Sequence, residues 1–296
     1  MTDTDLLKEK QDLSSIRDRL STFIDIVDNT WLFQSSEWKG KTSYQFNPTW
    51  IPASLTNHYL LRHAKQFVFM SATFPPLSII SKTLGIPLNK LDYLEVASEF
   101  PADNRRVILM PMGDLSYRFY NNSIRSILKG VQVIMNQHPN DKGIIHTVSW
   151  KLNKDIMSIG SFRFITHNSK NKVERFEQFL NSDFPAIFVS PSSTRGIDLP
   201  DDLCRFSIIP KAPFLSLADK LVKMRLYGSG KTGKEWYISD AAQNMVQASG
   251  RMVRHFTDYG TTYILDRRAI DLVVDNPGLF AVWWRDGIEL MGKDGN

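Results

Sequence analysis

From about Phe100 onward the chain repeats one pattern that leaves little freedom of fold. Short apolar runs alternate with segments that are apolar on one helical face. The runs are "RRVILMP", "GIIHTV", "FRFIT", "AIFVS", "CRFSIIP" and "GTTYILD". Between them lie "SYRFYNNSIRSILKGVQVIMNQ", "NKVERFEQFLNS", "SLADKLVKMRL" and "DAAQNMVQASGRMVR". A run that is apolar at every position is buried on both sides, and strand–helix–strand alternation demands crossover connections. The expectation is an α/β fold: a mostly parallel sheet flanked by helices on both faces. In such sheets ligands meet the loops beyond the carboxyl ends of the strands.

The first hundred residues read differently. Leu6, Leu7, Ile16, Leu20, Phe23, Ile24 and Val27 recur at helical spacing, which predicts an amphipathic helix over about 4–27. "EWKGKTSYQF" alternates around a short basic turn and predicts a hairpin. "QFVFMSATFPP" predicts a short strand stopped by Pro75 and Pro76, and "LSIISKTLG" a helix closed by Gly85.

Two Gly-Lys-Thr triplets, at Gly40–Thr42 and Gly230–Thr232, invite a phosphate-loop reading. That loop needs a further glycine five residues before the Gly-Lys pair, so that backbone N–H groups can curl around phosphate between a strand and a helix. Ser35 and Arg225 occupy those positions, and neither triplet follows an apolar strand. Both triplets are expected in flexible basic loops.

Composition excludes several classes. Of 296 residues, 42% are hydrophobic and 23% charged, enough for a sizeable core and more than one lobe. The single cysteine, Cys204, rules out an internal disulfide or a four-cysteine metal site built from these residues alone, and fits a reducing compartment. No apolar run approaches the roughly 20 residues that span a bilayer, and the start lacks signal-peptide blocks, so a cytoplasmic location without membrane attachment is expected. The net charge of +5 suits a polyanionic partner but does not demand one.

In "QASGRMVR", Gln247, Gly250, Arg251 and Arg254 stand at i, i+3, i+4 and i+7, so a continuous helix would place them on one face. Guanidinium keeps its charge and presents a planar fork that matches phosphate oxygens. A solvated or salt-bridged face is the competing reading. In "SPSSTRGIDLPDD" an apolar strand runs into Ser193, Thr194, Arg195, Gly196 and Asp198, a layout suited to a strand-end loop or to a plain capped turn.

Together these segments resemble a known set. "MSATFPP" looks like motif III of superfamily-two helicases, "KGIIHTVSWKL" like motif IV, "STRGIDLPDD" like motif V and "QASGRMVR" like motif VI. The tail "DYGTTYILDRR" is most similar to the DinG and XPD branch, and the resemblance covers about 67–268. It implies a second RecA-like domain at 100–296, preceded at 1–99 by a helix, hairpin and motif III segment left from a first domain. By position, Arg254 matches the arginine finger, with Arg251 and Gln247 as phosphate-facing companions. Gly196, Asp198 and Gly250 match nucleotide-binding positions, and Ser71 and Thr73 the hydroxyls that couple hydrolysis to movement. Thr147, Ser149, Ser193 and Thr194 fall where the family touches nucleic acid, although at the motif IV strand end, for Thr147 and Ser149, a plain core edge is the competing reading; Trp150 is either a base-stacking ring or, as the better reading, a buried one. Arg195 departs from the branch, which carries Glu there.

The family's first domain supplies a phosphate loop, an Asp-Glu magnesium site and, in many members, an iron–sulfur cluster. These residues contain no Asp-Glu pair, no phosphate loop and one cysteine. The resemblance therefore implies the C-terminal module of an ATP-dependent helicase. It would share ATP and Mg2+ with a separate first-domain polypeptide, hold no iron–sulfur cluster and hydrolyse no ATP alone. The expected partner is single-stranded DNA, with RNA as the other candidate. The rival expectation is a non-catalytic nucleic-acid or protein adaptor on a decayed helicase fold.

Overall fold

The computed structural model describes residues 3–191 and 199–291. Its elements begin with α1 (Asp3–Ile26), β1 (Trp31–Trp38), β2 (Lys41–Pro48), α2 (Ala53–Tyr59) and α3 (Leu77–Leu84). There follow β3 (Val107–Gly113), α4 (Tyr120–Gln137), β4 (Gly143–His146), α5 (Trp150–Met157), β5 (Phe164–Thr166), α6 (Lys172–Leu180) and β6 (Ile187–Ser190). The last are β7 (Phe206–Ile209), α7 (Lys220–Gly228), α8 (Gly230–Ser249), β8 (Thr261–Asp266), α9 (Arg267–Asp275), α10 (Val282–Arg285) and β9 (Ile288–Leu290). The chain divides into two compact units. One holds Met1–Met70, Pro76–Tyr93 and Ser216–Trp236, the other Ser71–Pro75, Leu94–Leu215 and Tyr237–Asn296.

In the first unit β1 and β2 form the expected antiparallel hairpin, closed at Trp38↔Lys41. Lys39 and Gly40 both take positive φ, 49° and 73°, the two-residue turn whose twist suits a hairpin. Gly85 ends α3 with φ +65° and an N–H bonded to the Ser81 carbonyl, as its position predicts. Two expectations fail here. Phe67–Met70 forms no strand, because among the described residues no backbone carbonyl accepts from its N–H groups. Val68 and Met70 are 86% and 89% exposed. The stretch Tyr227–Trp236 is not a loop: α7 ends in it and α8 begins at Gly230. Tertiary packing overrides weak local propensity there. The Arg225 guanidinium lies over the rings of Trp50 and Trp236, at 4.8 and 4.6 Å. Arg225 Nε donates to the Thr49 carbonyl at 2.6 Å, and Trp50 Nε1 to Ser229 Oγ at 2.7 Å.

The second unit holds a seven-stranded sheet in the order β5-β6-β4-β7-β8-β3-β9, and every strand pairing in it is parallel. Successive side chains of a strand go to opposite layers. Ile145, Ile187, Val189, Ile208 and Leu265 pack with Ile127, Val131 and Ile134 of α4 and Leu152 and Ile156 of α5. On the other face Leu109, Ile209 and Ile264 meet Met245 of α8, Ile270 of α9 and Trp284 of α10. Ile144, Ile165 and Phe188 meet Phe179 of α6 and Met252 there. The sheet is thus covered on both sides, as the runs require. Gly143 is obligatory, since a Cβ would enter the Phe206 ring on the neighbouring strand. Among the described residues no helix is long and apolar enough to cross a membrane.

Candidate functional site

The phosphate-facing residues expected on one helical stripe do not share a helix. Helix α8 stops at Ser249, so Gln247 lies in its last turn while Gly250, Arg251 and Arg254 follow it. The chain leaves the helix to bury Met252 beside Phe188 and Leu199, and the Arg251 carbonyl accepts from the Leu199 N–H at 3.2 Å. Trp284 Nε1 donates to Ser249 Oγ at 2.6 Å, fixing the last helical residue.

A buried carboxylate then organises the segment. Asp258, 1% exposed, accepts the Arg254 backbone N–H at 3.0 Å on Oδ2. Its Oδ1 accepts Arg205 Nη1 at 2.8 Å and the Tyr259 N–H at 2.9 Å. Arg205 also reaches Asp202 at 2.8 Å and lies 4.1 Å over the Tyr259 ring. Burial works against its charge, but the two carboxylates outweigh that and leave its pKa raised. The Arg254 side chain is exposed. The Asp-x-Gly of the tail therefore holds the candidate finger, a role that spacing alone did not reveal.

The structure brings motifs III and VI together. Gln247 Nε2 donates to Thr73 Oγ1 at 3.1 Å, and the Thr73 N–H donates to Ser71 Oγ at 3.3 Å. Thr73 is buried and Ser71 exposed. Beyond β4, His146 is buried; burial first, and the Arg251 charge second, push its pKa down to about 3, so its imidazole is neutral. Thr147 is wholly buried, the core-edge arrangement of its two readings and not one that offers its hydroxyl to a nucleic-acid strand. Val148 takes φ +60°, and the Ser149 N–H closes a three-residue turn onto the Thr147 carbonyl at 2.6 Å. A β-branched residue in that region is strained, and such strain gathers where a loop must be aimed. Ser149 caps α5, its Oγ accepting from the Leu152 N–H at 3.3 Å. Trp150 is 51% exposed and edge-on to His167 at 5.4 Å, so the buried reading is corrected in favour of an accessible ring.

A second group was missed because it is assembled from four separate elements. At the carboxyl ends of the adjacent strands β4, β7 and β8, Lys151 Nζ lies 3.8 Å and Lys211 Nζ 5.8 Å from the Tyr120 ring centroid. The Arg268 guanidinium sits 4.9 Å over Phe214, which stacks on Tyr237 at 5.3 Å. Burial first, with the charges of Lys151 and Arg268 adding to it, lowers the Lys211 pKa against the opposing pull of Asp266. Tyr120 donates to Asp155 Oδ2 at 2.6 Å; burial first, then that bond, push its hydroxyl up. Buried Asp266 accepts the N–H groups of Leu115, Ala212 and Arg268 at 3.2, 2.8 and 3.2 Å. Three cations interleaved with aromatic rings at strand ends suit a polyanion with stackable bases.

Ser193, Thr194, Gly196 and Asp198 lie outside the described residues, as does Arg195. Gly250 is exposed, its N–H bonded to the Val246 carbonyl at 3.0 Å. Among the described residues one cluster, Asp201, His255 and Asp258, has the spacing of metal ligands. Its groups already serve one another and the arginine network, with His255 Nε2 and Asp201 Oδ1 at 2.8 Å.

A solved XPD helicase structure superposes with a TM-score of 0.63 at 17% identity, over 92% of this chain and 49% of that one. An apo XPD structure gives 0.62 at 18% identity, over 97% and 59%. These likenesses give the RecA-like fold of the parallel sheet. Sequence similarity extends to the regulator of telomere elongation helicase 1 homolog of Drosophila melanogaster, 32% identical over 124 residues, which are 36% of this chain and 13% of the relative. The homolog of Oryza sativa subsp. japonica is 33% identical over 89 residues, 26% of this chain and 9% of the relative. The chain thus spans about half the length of the XPD chains, and its matches a small part of the curated relatives. Residues 123–286, more than half of the chain, match the model of the helicase C-terminal domain, and the chain belongs to that family.

Proposed function

We propose that this chain is the arginine side of a helicase ATP site and one wall of a single-strand groove. The Gln247–Thr73 hydrogen bond carries the reading, because it ties the phosphate-facing segment to the segment that couples hydrolysis to movement. Residues 1–99 are the end of a first RecA-like domain and 100–296 the second. A polypeptide bearing the rest of the first domain supplies the phosphate loop and the carboxylates for Mg2+ in trans. No iron–sulfur cluster is held by these residues. Arg254, with its backbone held by Asp258, reaches the transferred phosphoryl group, and Arg251 and Gln247 steady the phosphates. Gly250, Gly196 and Asp198 line the nucleotide. Such a finger contributes about 10³–10⁵ in rate by stabilising charge in the transition state. Arginines alone cannot orient an attacking water, so the chain alone turns over no ATP.

The strand, DNA before RNA, follows Ser193, Thr194 and Ser149 and continues over Lys151, Lys211 and Arg268, with Trp150 as a stacking ring. Fluorescence anisotropy on a labelled oligo(dT) tests this. Lys151→Ala, Lys211→Ala and Arg268→Ala each weaken binding and lower the salt slope by about 0.7 for each phosphate that is no longer neutralised. Unchanged slopes in all three would remove the groove. ATP turnover, measured after mixing with a first-domain polypeptide of the same helicase type and single strands, falls in Arg254→Ala. Equal turnover removes the finger, and strand binding without turnover in any mixture favours the adaptor reading.

A further inference from the structure

Helix α1 is 24 residues long, and from Leu6 to Leu20 its large apolar side chains are exposed. Leu6, Leu13, Ile16 and Leu20 are 50–61% exposed. Its end is tied down, where Phe23 meets Trp31 and Phe46 at 5.6 and 4.8 Å. A helix of this kind draws most of its stability from packing an amphipathic face, so α1 requires a cover.

The spacing says what kind. Leu6, Leu13 and Leu20 fall seven apart, with Ile16 and Phe23 three residues after the last two, which is the a/d seam of a two-helix coil. In that register Asp5 and Asp12 occupy g positions, and Lys10 and Arg17 occupy the e positions five residues later. Parallel helices in register bring g of one against the following e of the other. Asp5 then faces Lys10 and Asp12 faces Arg17, in both directions across the pair. An antiparallel pair would instead set Lys10 against Arg17. Glu9 at d places two carboxylates in one layer, which keeps the association weak. The Arg17 guanidinium now rests on Asp18 at 2.8 Å, an exposed contact that is easily exchanged.

We propose that the Leu6–Leu20 face of α1 is a self-association surface, covered by α1 of a second copy of this chain in a parallel, in-register coil.

Sedimentation equilibrium of the full chain over a hundredfold concentration range reads this directly. The expected result is a monomer–dimer equilibrium that Leu13→Glu with Ile16→Glu abolishes, while the near-UV circular dichroism of the sheet unit persists. Asp5→Lys with Asp12→Lys, or Lys10→Glu with Arg17→Glu, puts like charges at all four e/g pairs and weakens dimerisation by about tenfold. Mixing the two charge variants restores it. Leu6→Cys forms an oxidised cross-link between the two copies only if the helices are parallel and in register, and buried Cys204 does not compete. A chain that stays monomeric throughout, a dimer indifferent to the seam or charge variants, or a failed cross-link in a dimeric sample overturns the proposal.

Discussion

Replacing Asp258 by Asn removes a charge from the best-sealed ion pair in the described structure while keeping the side chain's shape. Asp258 and Arg205 are both buried, at 2.8 Å, and Asp202, the other carboxylate on Arg205, is almost wholly in water and compensates poorly. The variant leaves a guanidinium in a site built for a carboxylate, and its amide can satisfy at most some of the N–H groups from Arg205, Tyr259 and Arg254. Breaking one partner of such a pair costs about 3–5 kcal/mol. For a domain of this size that lowers Tm by about 10 °C. Urea unfolding should show a lower midpoint at an unchanged slope, so that the change lies in stability and not in the surface exposed. Arg205→Met combined with Asp258→Leu should cost less than Asp258→Asn, since no charge is left buried without its partner. In the mixed ATP assay, Asp258→Asn should lose turnover although the Arg254 side chain is untouched. A cost below about 1 kcal/mol, or a double variant whose loss equals the sum of its singles, would refute the account of the network.

Other expectations are simpler to read. His146 is held at about pKa 3 by burial and by Arg251, below its ordinary 6.5, so the unfolded chain binds a proton that the folded chain does not. Stability is therefore lost as pH falls from 6.5 toward 3, by about 1.4 kcal/mol per unit, and this part of the slope should vanish in His146→Gln. Gly143→Ala drives a methyl into the Phe206 ring and should cost about 1–3 kcal/mol in urea unfolding. Burial, the leading cause, pushes the Cys204 thiol up to about 12. Iodoacetamide should leave it unmodified in the folded protein at pH 8 and alkylate it in urea.

The strands of the sheet were legible because each apolar run had only one way to be buried on both sides. Ile144 and Ile145, neighbours in one run, end in opposite layers. The termini of elements were less legible, since they depend on partners far along the chain. Gly250 aside, the local sequence would let α8 run past Ser249. The stop comes from Met252 entering the layer under Phe188 and from Asp258 taking the Arg254 N–H, although Gly250 was a usable signal. Helix α5 and strand β9, with eight and three residues, are too short for periodicity to declare. The cation cluster at Tyr120 needed Lys151, Lys211 and Arg268 from three strand ends, and that adjacency exists only once the order β4-β7-β8 is known.

Phe67–Met70 shows the converse, a segment whose sequence demands more than its surroundings provide. Phe67 and Phe69 stack with ring centroids 6.4 Å apart, while Val68 and Met70 face away into solvent, which is the two-sided alternation of a strand. A strand is realised only by its neighbours, because β-propensity measures packing and pairing on a pleated surface more than any preference of the lone backbone. The described residues offer these four N–H groups no backbone acceptor. Their amides should therefore exchange with deuterium close to the rate of an unfolded chain, while those of β4, paired on both sides by β6 and β7, stay protected to the limit of global unfolding. Adding a first-domain polypeptide that supplies the missing sheet should slow the four by at least tenfold. If they are already protected in the chain alone at low concentration, the segment has found a ladder within this chain, and the reading of 1–99 as the end of another domain's sheet fails.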